Sequence, residues 1–101
     1  MGLINLSEVL VNAAGSNEGK YVFDIIKSSF DNKEKIIVSF ENVEGIGSSF
    51  VNSAFLKLLD YYDYNFIKNN LKIIKINKAI SNLIKERFEF ELKKREQVEN
   101  F

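Results

Sequence analysis

The chain has 101 residues, 46% of them hydrophobic and 28% charged, with fourteen Lys and Arg against fourteen Asp and Glu. That length suits a single domain over residues 1–101, with one modest core and no room for a second. The chain holds no cysteine and no histidine, which excludes disulfides, thiolate nucleophiles, Cys-ligated zinc and every Ser-His or Cys-His relay.

Carboxylate and lysine chemistry stay open, but the composition points to a protein with no catalytic residues, no cofactor and no bound metal. The longest apolar run falls well short of the ~20 residues of a membrane span, and MGLINLSEVLVNAAG lacks the basic start of a signal peptide. The expected setting is cytoplasmic, with no membrane partner. Charge is divided along the chain: residues 1–66 carry five Lys against nine acids, and residues 67–101 carry nine Lys and Arg against five Glu. Such a dipole can steer a partner. The five glutamates among the C-terminal cations argue against nucleic acid.

LIN at 3–5 is a short apolar start that suits an edge strand, and SEVLVN after it fits a strand or a helical turn equally well. AAGSNEG, 13–19, reads as a loop. Val22, Ile25, Ile26 and Phe30 then recur at helical spacing, which predicts a helix over 18–30. IIVSF, 36–40, is β-rich with little polar alternation, as expected of a central strand covered on both faces. From Phe50 to Tyr62 apolar residues form one wide helical stripe. YDYNFIKNN is a connection with space for one helical turn, and LKIIKIN, 71–77, reads as a strand. Asn77 or Lys78 opens a last helix with Ile80, Leu83, Ile84, Arg87 and Phe88 on one face, running to about residue 96. Strands alternating with helices imply a mostly parallel sheet with right-handed crossovers.

The stretch VEGIGSSFVNSAF, 43–55, carries the main functional question. As pure structure, Gly45 and Gly47 supply a permissive turn, and Ser48 or Ser49 caps the following helix. As function, the same serines stand exposed where a helix begins at the carboxyl end of a parallel strand. A phosphate there would add about −1.5 to −2 charges to a surface that a partner inspects.

KIIVSFENVEGIGSSFVNSAFLKLLDYY, 35–62, with GSNEGKYVFDIIKSSF upstream, resembles the STAS-like domains of small bacterial proteins of unknown function. More distantly, the turn is similar to that of the anti-anti-sigma factor antagonists, whose Asp-Ser-Ser-Gly segment is phosphorylated on its second serine by a partner kinase. By position that serine is Ser49, with Ser48 beside it. Gly47 stands where those proteins have the Asp, Phe50 where they have the Gly, and Ser39 in place of a strand-end Asp. The resemblance implies an α/β fold, a small mostly parallel sheet with helices packed on it. It also implies a non-catalytic regulatory protein–protein interaction domain that docks a kinase-like ATPase through Gly47, Phe50 and Asn52, gated by phosphorylation of Ser49.

Other motifs point elsewhere. GSNEGKY places three residues between Gly15 and Gly19 and Tyr21 after Lys20, so it lacks the spacing and the hydroxyl of a nucleotide-binding loop. Asp60 and Asp63 lie at a helix end without the glycine turn of a calcium loop. YYDY, 61–64, has a composition favoured at interfaces and equally suited to the core. Phe88, Phe90 and Leu92 cannot share one side of a helix, because residues two apart diverge by ~200°. That pattern leaves an aromatic face for self-association, as a homodimer. Two further readings remain: a phage or mobile-element inhibitor that binds a host enzyme, and a small-molecule or nucleotide-responsive sensor with its pocket at the strand carboxyl ends.

Overall fold

A computed structural model describes residues 2–11 and 15–99 of the chain, with side chains described up to residue 96. Its elements are β1 (Gly2–Asn5), α1 (Leu6–Val9), α2 (Ser16–Asp31), β2 (Ile36–Ser39) and α3 (Ser48–Ala54). A 3₁₀ helix (Leu56–Asp60), α4 (Tyr64–Asn70), β3 (Leu71–Ile74) and α5 (Lys78–Glu99) follow. The three strands form one wholly parallel sheet in the order β1-β2-β3, with Ile4, Val38 and Ile73 in register. The expected α/β fold, a small parallel sheet with helices packed on it, is the observed one.

Two right-handed crossovers that step the same way across a sheet place their helices on the same face. Gly2 shows which face this is: a side chain there would meet both Ile36 and Ser29 of α2. On that face Ile4, Leu6, Ile36, Val38 and Phe40 are buried under Val22, Phe23, Ile26 and Phe30 of α2 and Phe50, Val51 and Ala54 of α3. The opposite face carries Leu3, Ile37, Lys72 and Ile74 by strand alternation. There Leu3 is 59% exposed and Lys72 exposed, while Ile37 and Ile74 are half-buried. The expectation of a central strand covered on both faces is therefore corrected. On that open face β2 itself presents half-buried Ile37 and the small Ser39, which is buried and accepts from the Glu41 N–H at 3.3 Å.

Three local expectations also change. Of the loop expected over 13–19, residues 13 and 14 lie outside the described residues, and from Ser16 the chain is already helical, with the Glu18 carboxylate accepting from the Gly15 N–H at 3.1 Å. The helical stripe over 50–62 breaks after Ala54 and tightens into the 3₁₀ turn. Phe55, Leu56 and Leu58 all turn inward at this change of winding. YDYNFIKNN forms a full helix, α4, because the Asp63 carboxylate accepts from the Phe66 N–H at 2.7 Å and Ile67 drops into the core. The last strand stops at Ile74, and Asn77 caps α5 by accepting from the Ile80 N–H at 2.8 Å, as the sequence suggested.

Candidate functional site

The segment from Phe40 to Gly47 leaves the carboxyl end of β2 and is pinned at several points. Phe40 donates to the Ile74 carbonyl at 3.0 Å, extending the sheet by one step, and Val43 donates back to the Phe40 carbonyl at 3.0 Å. The Asn77 amide donates to the Glu44 carbonyl at 3.1 Å, and Lys75 pairs with Glu41 at 3.3 Å. Val43 and Ile46 turn half inward against the core. The loop is thus held between the sheet and the start of α5, which gives α3 a fixed starting point.

At that start, neither serine caps the helix. Gly47 occupies the cap position with extended backbone (φ −95°, ψ 168°), and its carbonyl accepts the first helical bond from Val51 at 3.2 Å. Ser48 and Ser49 already lie inside the first turn, and both side chains are exposed. The permissive-glycine reading is corrected too: no described glycine has a positive φ, and the left-handed turn residue is Asn42 at φ 65°. A Cβ at Gly45 or Gly47 would point into open space. Neither local sterics nor backbone conformation therefore demands glycine at these two positions.

The expected contact residues separate. Gly47 and Asn52 are exposed beside the serines, but Phe50 is wholly buried, packed edge-on against Phe55 at 6.1 Å between centroids. Phe50 is therefore a core residue and not a partner contact, because position 50 falls on the inner stripe of α3 with Val51 and Ala54. Asn52 has a partner that the sequence did not suggest: its side-chain oxygen accepts from Arg87 of α5 at 3.1 and 3.3 Å. Arg87 sits among apolar residues on the inner stripe of α5, and a cation on such a stripe was the readable sign that something polar faces it.

α5 divides the three residues expected to support self-association. Phe88 is buried against the Tyr64 ring, so it is unavailable to a second copy, while Phe90 is 60% exposed with the Arg87 guanidinium over its ring at 5.5 Å. Leu92 is half-buried in a hollow of about 390 Å³ shared with Leu59, Tyr61 and Tyr64. Next to it, across Arg95, lies a polar groove of about 420 Å³ between α3, the 3₁₀ turn and α5. Arg95 pairs with Asp60 at 2.6 Å and donates to the Leu59 carbonyl at 3.3 Å. Asp60 and Asp63 thus have structural tasks, one as an ion-pair partner and one as a helix cap.

The tyrosines of 61–64 also divide. Tyr61 is exposed and Tyr64 is half-buried on Phe88. Tyr62 stacks on Phe66 and donates its hydroxyl to Asp31 at 2.6 Å, while Lys27 pairs with the same carboxylate at 2.7 Å. The Lys27 bond, with help from Tyr62, lowers the Asp31 pKa, and that bond raises Lys27. Burial first, then the hydrogen bond to Asp31, push Tyr62 up to about 12. A raised folded pKa means that the neutral phenol stabilises the fold, and this contribution is lost as pH climbs from about 10 to 12. Melting temperature is expected to fall through that window, and the Tyr62→Phe variant to show a shallower fall; identical slopes in thermal scans would refute the assignment.

No curated protein and no solved structure gives a significant match to the chain. A family model does, over residues 18–81, from the first turn of α2 through the pinned loop, the exposed serines and β3 to the first turn of α5. With that match covering well over half of the chain, on the parallel β-α frame just described, the protein belongs to the family of STAS-like domains of unknown function (DUF4325).

Proposed function

We propose that this chain is a non-catalytic regulatory module that binds another protein through the surface formed by Gly47, Ser48, Ser49 and Asn52, with phosphorylation of Ser49 as its gate. The observation that carries the reading is the contrast between the two sides of one short helix. The inner side of α3 is locked by Phe50, Val51 and Ala54, all wholly buried, and the outer side presents small polar groups on a pinned loop. Glycines at 45 and 47 that neither space nor conformation requires leave the approach bare, which suits close contact with another backbone. A phosphate on Ser49 would leave the core untouched and change only what the partner meets, adding about −1.5 to −2 charges.

The test is capture of a partner from native lysate on immobilised wild-type protein, followed by titration of that partner with wild type, Ser49→Ala and Ser49→Asp. Wild type and Ser49→Ala are expected to bind alike and Ser49→Asp at least about tenfold more weakly, with melting temperatures equal among the three. Equal affinity in all three would end the gating idea. Partner binding that survives Gly47→Leu and Asn52→Ala together would end the assignment of the surface.

A further inference from the structure

We infer that the polar groove between α3, the 3₁₀ turn and α5 takes an acidic extended segment of the partner protein, an inference that rests on the docking reading above. Four cations, Lys57, Arg87, Lys94 and Arg95, line the groove against two carboxylates, Asp60 and Glu91. Arg95 engages both carboxylates, at 2.6 and 3.6 Å. Among the described residues, Lys57, Arg87 and Lys94 have no carboxylate partner. Lys57 instead lies over the Phe23 ring at 5.4 Å, and Arg87 is held by Asn52 and over Phe90. Two of the three unpaired cations are thus placed by neighbours that do not neutralise them, which leaves their charge available to a ligand.

Arg95 lines both this groove and the neighbouring hollow of Leu59, Tyr61 and Leu92, so a ligand in the one continues into the other. From Arg87 to Glu96 the helix rises about 14 Å, the span of roughly four extended residues. A matching segment carries two or more carboxylates followed by an apolar side chain. A nucleic acid fits less well. Its bases would find no platform, because no aromatic ring lines the cationic part of the groove. Asn52 joins this groove to the exposed serines, so one partner can cover both.

The probe is a dye-labelled peptide, Glu-Glu-Asp-Leu-Phe, followed by fluorescence anisotropy beside its amide analogue Gln-Gln-Asn-Leu-Phe and an oligouridine of five nucleotides. The acidic peptide is expected to bind, with affinity falling about tenfold as salt rises from about 50 to about 300 mM, since screening shortens the reach of exposed charges. Lys57→Glu with Lys94→Glu is expected to weaken it at least about tenfold. Lys35→Glu with Lys72→Glu, a reversal of equal size on exposed lysines outside the groove, should leave binding unchanged. Lys57→Gln with Lys94→Gln repeats the test without introduced repulsion and should weaken binding in the same direction. No binding of the acidic peptide, equal binding of the amide analogue, tighter binding of oligouridine, or equal loss in the Lys35/Lys72 control would each overturn the inference. A captured partner that needs the serine face but is indifferent to Lys57 and Lys94 would end this inference and leave the docking reading standing.

Discussion

Truncation of Phe50 to alanine is expected to lower the stability of the fold by about 3–5 kcal/mol, the usual cost of emptying a buried aromatic site. The ring is inaccessible to solvent and meets Phe55 at 79° with centroids 6.1 Å apart, and Phe55 in turn meets Phe40 at 6.4 Å. Removing Phe50 therefore opens a cavity where the central strand, α3 and the 3₁₀ turn converge. Against a typical total of about 5–15 kcal/mol, such a loss leaves a domain of this size near the edge of folding. Its neighbours Ser48 and Ser49, both exposed, are expected to change stability by no more than about 0.5 kcal/mol when replaced by alanine. Urea denaturation of the three variants distinguishes the two roles. If Phe50→Ala kept wild-type stability while losing a partner, the placement of this ring in the core would be wrong.

Gly19→Ala is expected to destabilise the protein although it improves the helix in which it lies. Alanine is favoured over glycine within a helix by about 1 kcal/mol. Gly19, however, is buried where α2 crosses α3, and a Cβ there would stand 2.7 Å from the Ser53 Cβ, 2.9 Å from the Phe50 carbonyl oxygen and 3.2 Å from the Ala54 nitrogen. The latter two are backbone atoms and cannot rotate away. The helices must move apart, at an overpacking cost of about 1–3 kcal/mol or more. The steric term is expected to win, with a net loss of about 2 kcal/mol and a melting temperature lower by about 10 °C. Adding Ser53→Gly should recover part of this loss and not all of it, since the Phe50 carbonyl stays in place. A higher melting temperature in Gly19→Ala alone would show that the two helices are less closely apposed than described.

These two positions also show how far local pattern carries. Phe50 opens an apolar stripe that a 3.6-residue period makes visible, so its burial could be read even though its place beside the serines also suggested a contact role. Gly19 gives no such sign. In the sequence it belongs to a small-and-polar stretch that resembles a loop, and only the crossing of α2 and α3 shows why a side chain would not fit. Asp63 is an intermediate case. A capping carboxylate before Tyr64–Asn70 was present to be read, but the aromatic density around it masked the helical period.

The candidate site follows the same division. Exposure of Ser48 and Ser49 was legible from the strand–turn–helix order, but the identity of the cap was not. Cap position depends on where backbone geometry becomes helical, and that shifts by a residue without altering the pattern. The groove was not legible at all. Its defining pairs, Arg87 with Asn52 and Arg95 with Asp60, each join residues 35 positions apart.

The sequence by itself determined the alternation of strands and helices, the family resemblance and the lack of histidine and cysteine chemistry. All of these are local or compositional, carried by side-chain periods of 2 and 3.6 and by which residue types are present. Only the tertiary structure decided that the helices cover one face of the sheet, that Phe88 turns inward while Phe90 turns outward, and that unpaired cations gather along one groove. Those outcomes depend on how crossovers stack and which distant side chains meet, and no short window of sequence contains that distance.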